Sequence, residues 1–445
     1  MTVRLLTNIG RLWTGSEIWS NVAILIRDEH IGWIGAAADL PASVPGVIHD
    51  ITDVDHVENL GGGLVTPGLI DSHTHPVYAG NRWAELAMRS GGSSGAEITA
   101  AGGGVASTVT VTRGTDPWTL CNGVRERLRS WLLSGTTTVE AKTGYHLTRD
   151  GELADVRLLR SLEKEPGMPR VHVTFLAANT VPPEFFGRRS DYVDAVGSWC
   201  SDAAAAGADS IDAYCDDGRF SAREASWILN AGRSAGLLPR LHACGNGHNG
   251  TGQHGTGQHA TGLHATGLHA TGLHATGLHA TGAQGNGQDP SGALLAAHLG
   301  CVSADLLPGA TDADVAALAE AGVVAVLCPA GSFNSRRQPP VRALLDRGVP
   351  VALASGHSPG GNGITSMPLV ISLAVAALGM SVTEALRAAT LGGAQALRAP
   401  DRGAMARGRL ADIVAWDADH EGAFAWSYGL KPVRVWRGGE PVSAE

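Results

Sequence analysis

Three absences narrow the reading of this 445-residue chain. It has no run of the roughly 18 apolar residues that a membrane-spanning helix requires, and its start, "MTVRLLTNIGRLWTG", lacks the apolar core and small-residue cleavage site of a secretory signal. A soluble, cytoplasmic protein with no membrane partner is expected. Charge of one sign is nowhere blocked: 33 Lys and Arg lie scattered among 42 Asp and Glu, a net of −9, which argues against a polyanion-binding surface and against nucleic acid as a partner. Cysteine is sparse. Cys121, Cys200, Cys215, Cys244, Cys301 and Cys328 lie far apart, so a disulfide framework is not expected and most should be small buried apolar residues.

What is present is a long alternation. From Gly135 onward, short β-rich runs ("GTTTVEAKTGY", "RVHVTFLAAN", "ADSIDAYCDDG", "LPRLHACGN", "CVSADLLPG", "GVVAVLCPAG", "VPVALASGHSPG") are separated by amphipathic segments such as "DGELADVRLLRSLEKE". With "GGLVTPGLIDSHTH" as the first run, eight strand-then-helix units fall within residues 64–399. Continuous apolar strands joined through helices predict a parallel sheet covered on both faces, and eight units predict closure into a (β/α)8 TIM-like barrel. The flanks, residues 1–63 and 400–445, carry short strand and hairpin patterns and are expected to pair into a small β-sandwich formed by both chain ends.

Residues 246–288 fit neither pattern. They hold a five-residue repeat with His254, His259, His264, His269, His274 and His279. A spacing of five turns successive side chains by about 140° on a helix and alternates faces on a strand, so no regular conformer makes these histidines one site. Glycine in every unit and few apolar groups predict a disordered insertion within the barrel, with adventitious metal binding as the alternative.

The chemistry concentrates at strand ends, where such barrels place reactive groups. His73 and His75 end the first run, and residues i and i+2 of a strand face one side. His242 ends the fifth run. Three imidazoles leave a coordination position open, as a catalytic site for one divalent metal requires.

These residues carry a family resemblance. "VTPGLIDSHTH", "AGNRWAEL", "EITAAGGGVASTV", "GTTTVEAKTGY", "VPPEFFGRRSDYVD", "SMPLVISLA" and "GRLADIVAWD", in that order, resemble imidazolonepropionases of the amidohydrolase superfamily. The resemblance covers nearly the whole chain outside the insertion. It implies an amidohydrolase barrel, one zinc or iron ion on His73, His75 and His242, and conversion of 4-imidazolone-5-propanoate to N-formimino-L-glutamate. It also implies contacts to a carboxylate-bearing small molecule from Arg82 and Tyr145, and a homodimer. Four positions depart from the family pattern: Gly245 stands for the catalytic glutamate, Leu306 for a histidine, Gly356 for the eighth-strand aspartate, and Asn179 for a third-strand histidine at the substrate.

His357 and Cys244 are candidates to replace the lost acid–base groups, and Asp71 and Asp305 are proton carriers on residue type alone. His357 adjoins Gly356, although strand alternation puts it on the opposite side, and Cys244 lies two residues past His242 on what could be one face. Competing readings are a paralogue performing other ring chemistry in a biosynthetic pathway, and a decayed barrel that only binds metal or ligand.

Overall fold

The computed structural model describes residues 2–93, 95–216, 219–244, 290–335 and 337–443. The repeat insertion expected at residues 246–288 lies outside them. Five strands open the chain: β1 (Val3–Trp13), β2 (Ile18–Arg27), β3 (His30–Ala36), β4 (His56–Asn59) and β5 (Leu64–Pro67). Eight more follow: β6 (Leu69–Thr74), β7 (Thr136–Lys142), β8 (Arg170–Ala178), β9 (Ser210–Cys215), β10 (Leu238–Ala243), β11 (Ser303–Asp305), β12 (Val324–Leu327) and β13 (Val351–Leu353). The chain closes with β14 (Ile413–Trp416), β15 (Pro432–Arg437) and β16 (Glu440–Pro441).

Strands β6 to β13 form one all-parallel sheet in sequence order. Its ends are joined by His75 N–H to His357 O (2.8 Å) and Gly356 N–H to His73 O (3.2 Å), which brings the sheet round into the expected barrel. Every residue of β6, β7, β11, β12 and β13 is buried, the pattern of strands covered on both faces. Helices pack outside through residues such as Val124, Leu128 and Trp131. Several of these helices start at a reciprocal cap. Ser221 and Glu224 cap helix Ala222–Ser234, and Thr311 and Asp314 cap helix Asp312–Ala321; each such cap contributes about 1 kcal/mol.

Both chain ends build the second sheet, in order β16-β15-β14-β5-β1-β2-β3, with β4 on β1. Leu6, Ile9, Val22 and Ile24 from the first half share a buried cluster with Ile413, Ala415 and Trp436 from the last. This sheet corrects one expectation. Residues 64–67, read as the entry to the first barrel strand, are instead β5, parallel to β1 and antiparallel to β14. The break has a local cause. Pro67 has no N–H to give a ladder, and a Cβ on Gly68 would stand 2.0 Å from Thr137 Oγ1, so the chain passes β7 too closely for any side chain there. Trp13, Leu64 and Trp416 pack from this sheet into the barrel's own core.

All six cysteines are free thiols, five of them buried. No helix among the described residues is long and apolar enough to cross a membrane.

Candidate metal centre

His73, at the end of β6, His75 just beyond it and His242 on β10 converge at the C-terminal mouth of the barrel. Ring centroids lie 5.2 Å apart for His73 and His75, 4.5 Å for His73 and His242, and 5.4 Å for His75 and His242. One nitrogen from each can be chosen so that all three lie within 4.8 Å of one another. His75 is one residue past its strand and still keeps the i, i+2 register, because its N–H is held by His357 O.

A buried layer of charge lies directly beneath. His73 Nδ1 is 2.6 Å from Asp305 Oδ2 on β11. His242 Nδ1 is 2.9 Å from Asp212 Oδ2 on β9, an ion-pair contact whose angle falls short of a hydrogen bond. Lys142 Nζ donates to Glu140 Oε1 (2.7 Å) and Asp212 Oδ2 (2.8 Å) and stands 3.7 Å from Asp305. Arg240 Nη2 lies 3.5 Å from Asp305. These groups are fully buried, so each charge is tolerable only because of the others. Burial pushes the Asp305 carboxyl up, but Arg240, the His73 hydrogen bond and Lys142 outweigh it and hold the group well below the ordinary carboxylate range. Asp212 is held low in the same way by His242 and Lys142.

The imidazoles are pushed the other way. Burial, with Lys142 and His242, lowers His73 to about 4, and burial with the two neighbouring histidines takes His75 well below its ordinary value. A neutral imidazole is the ligating form. His75 Nδ1 is buried with no hydrogen-bond partner, an orphaned lone pair or N–H of a kind that buried sites seldom leave. Three converging imidazoles, two of them backed by carboxylates and one with a ring nitrogen unclaimed, fit a divalent cation.

The wall above contains the other expected residues. Tyr145 is buried with its ring 6.2 Å from His75, and burial raises its phenol far above the usual value. Asn179, one residue past β8, hydrogen-bonds Tyr145 and donates Nδ2 to Gly144 O at 2.9 Å. Arg82 is pinned: Nε and Nη2 meet the two oxygens of Glu85 at 2.7 and 2.6 Å, and Glu85 also takes Arg89 Nη2 and Gly104 N–H.

Of the candidate replacements, Asp305 lies under His73 and Asp71 Oδ1 accepts the His73 N–H at 3.5 Å, while His357 and Cys244 do not join the triad. His357 offers Nε2 to Tyr78 Oη (3.2 Å) and Nδ1 to Ile364 O (3.3 Å), against Trp131, so both nitrogens are engaged on the far side of β13, as strand alternation implies. The expectation that it takes over at the metal is corrected. Cys244 sits one residue beyond β10, where the period of two no longer holds, and its Sγ lies 3.6 Å from Tyr214 Oη. Burial pushes its thiol far up, so with no cation beside it the group rests as a neutral thiol. Gly356 has φ +63°, and a Cβ there would meet Cys328 Cβ and Sγ at 3.2 Å, so no carboxylate fits in this backbone without movement. Leu306 is left-handed too, with φ +78°, and packs against the cluster that contains Cys328.

Sequence reasoning missed Asp212, Lys142, Tyr214 and Arg219. Tyr214 stacks on His242 at 4.6 Å and 22°, and the Arg219 guanidinium lies 5.2 Å from the Tyr214 ring centre. Aspartates inside buried strands, at "SIDAYC" and "SAD", were the available signal for the two carboxylates under the histidines.

Comparison with known proteins agrees with this geometry. The model of the Amidohydrolase family matches residues 64–442. Imidazolonepropionase of Cupriavidus pinatubonensis is 36% identical over 93% of this chain and 88% of its own length. The imidazolonepropionase of Rhodococcus jostii is 36% identical over 98% and 94%. Among solved structures, a mutant of atrazine chlorohydrolase TrzN from Arthrobacter aurescens, complexed with zinc and atraton, superposes with a TM-score of 0.69 at 17% identity, covering 99% of this chain and 97% of the other. An adenosine deaminase from Xanthomonas campestris with bound zinc gives 0.65 at 17%, covering 98% and 92%. At that identity the structural matches speak for the fold alone, whereas the sequence matches run the length of the chain. The chain therefore belongs to the amidohydrolase family and, within it, to the imidazolonepropionases.

Proposed function

We propose that the protein hydrolyses the ring C–N bond of a cyclic amide bearing a carboxylate, with 4-imidazolone-5-propanoate, opened to N-formimino-L-glutamate, as the substrate, and with one zinc or iron ion held by His73, His75 and His242. When bound, such a cation supplies an activated water and polarises the ring carbonyl. Asp305 holds the Nδ1 proton of His73, which turns the Nε2 lone pair toward the centre, and Asp212 biases His242 the same way. Tyr145 stays a protonated phenol through neutral pH and is a hydrogen-bond donor beside His75. Asn179, beside Tyr145, and Arg82, fixed by Glu85, line the space for the substrate.

Proton transfer is the weak step. The water proton must reach the leaving nitrogen, yet of the carboxylates touching the triad among the described residues Asp212 and Asp305 are committed beneath it. Asp71, which accepts the His73 N–H at 3.5 Å and which burial raises to about 7, is bound by Trp131 Nε1 and the Ser355 N–H. A positioned acid–base group typically contributes about 100- to 10,000-fold, so turnover well below that of an enzyme with both acids is expected.

The observation that carries this reading is the convergence of three buried imidazoles within 4.8 Å at the mouth of an amidohydrolase barrel. The test is to load the protein with zinc or iron and follow the ultraviolet absorbance of 4-imidazolone-5-propanoate. Slow, metal-dependent loss is expected. Decay no faster than with metal-free protein overturns hydrolysis and leaves a barrel that binds metal or ligand without turning it over.

A further inference from the structure

We propose that Arg219 recognises the carboxylate of the bound ligand and so sets the specificity of this cleft for an anion. The inference rests on the reading above in taking a heterocyclic carboxylate as the ligand class.

Position comes first. Arg219 follows β9 at the C-terminal mouth of the barrel, on the same side as the histidines. Its N–H closes on Asp216 O at 2.9 Å, and the next residue, Phe220, is fully buried with its N–H on Tyr214 O at 3.1 Å, so the turn is anchored at both ends. The guanidinium stands 5.2 Å from the centre of Tyr214, and Tyr214 in turn lies 4.6 Å from His242. That places a cation two ring spacings from the triad, the reach of a ligand whose carboxylate is joined to its ring by a short aliphatic chain.

Valence comes second. Arg219 is half-buried, and the one hydrogen bond its guanidinium makes among the described residues is a long one, Nη1 to Asn179 O at 3.4 Å. No carboxylate among the described residues lies within ion-pair distance of it. A guanidinium presents five donors in a planar fork suited to a carboxylate, and a partly desolvated one gains most from such a partner. Arg82 is differently placed. Two of its nitrogens are spent on Glu85, and its Nη1 lies against the backbone of Gly360, where a Cβ would stand 2.1 Å away. Arg219 Nη1 on Asn179 O, and Asn179 Nδ2 on Gly144 O, bring the guanidinium to the loop that carries Tyr145. Of the two arginines, Arg219 has the donors without a partner among the described residues.

The test uses zinc-loaded protein and two stable ligands, imidazole-4-propanoate and its neutral amide, titrated calorimetrically into wild type, R219M and R219K. Wild type should prefer the carboxylate. R219M should lower carboxylate affinity by about 10- to 100-fold while amide affinity stays within about twofold, and R219K should recover part of the loss. Unchanged amide affinity also shows that the variant is folded. If R219M keeps the full preference for the carboxylate, Arg219 is not the recognising group and the inference is overturned, with the functional reading left standing. If wild type binds neither ligand, both fall.

Discussion

Replacing Asp305 by asparagine removes one negative charge and keeps the shape, and its effect on metal affinity can be worked from the contacts. Asp305 Oδ2 is 2.6 Å from His73 Nδ1, while Oδ1 accepts the Ser303 hydroxyl at 2.6 Å. The carboxylate fixes the His73 tautomer and increases the basicity of the other nitrogen, and loss of such a partner typically costs about 10- to 100-fold in metal affinity. That corresponds to about 1.4 to 2.7 kcal/mol. The amide has one acceptor oxygen: with it on the His73 Nδ1–H, the NH2 faces Ser303 and must donate to that hydroxyl, which can turn to accept, and this retained acceptor argues for the lower half of the range. Lys142 and Arg240 then share two carboxylates instead of three, so some loss of fold stability is expected as well. Zinc affinity is measured by competition against a chelator of known strength, and the melting of metal-free D305N separates the folding term. A zinc affinity within about twofold of wild type, in a variant that is folded, would refute the claim that Asp305 orients the ligand.

Two further perturbations probe the departures from the family pattern. Burial and Arg127 lower His357 to about 4 from its ordinary 6.5, so between those values the unfolded chain binds a proton that the folded chain refuses. The resulting contribution, up to about 3 kcal/mol, is fully present above pH 6.5 and lost as pH falls toward 4; denaturant unfolding of wild type and H357N across that window should diverge, and parallel curves would count against the buried neutral ring. Restoring an acid with G356D should cost about 1 kcal/mol or more in stability, because the backbone is left-handed and Cys328 occupies the room, and should not raise turnover. Adding C328A to G356D should recover part of that stability, and a G356D protein as stable as wild type would show that the crowding argument is wrong.

The barrel was legible in the sequence because its strands are buried on both faces and therefore read as short unbroken apolar runs between amphipathic helices. The three histidines were legible because each stands at the C-terminal end of such a run. Residues 64–67 were assigned to the wrong sheet for a physical reason: apolar continuity is blind to a partner change, and only Pro67 and Gly68 mark the crossing. Cys244 and His75 make an instructive pair. Both lie one residue beyond a strand, yet His75 keeps its strand register through a hydrogen bond from across the barrel seam, while Cys244 turns to Tyr214. Alternation is reliable only as far as the ladder that enforces it. Arg219 was invisible because its meaning depends on Asn179, Tyr145 and His242, three residues from three other strands.

Charge ties these departures together. The buried layer under the triad has three carboxylates, Glu140, Asp212 and Asp305, against Lys142 and Arg240, a formal −1 beneath the three imidazoles. A dication changes that to +1. Two further acids, which the family pattern places where Gly245 and Gly356 stand, would make the balance more negative and repel an anionic ligand while moving its protons. Among the described residues Gly356 brings no such charge and Arg219 adds a positive one, which favours a cationic mouth. Such a site should hold a carboxylate tightly and turn it over slowly, so a low KM paired with a low kcat is the expected signature. A high KM with a normal kcat would mean that an unrecognised base is at work and that the cationic mouth does not govern binding.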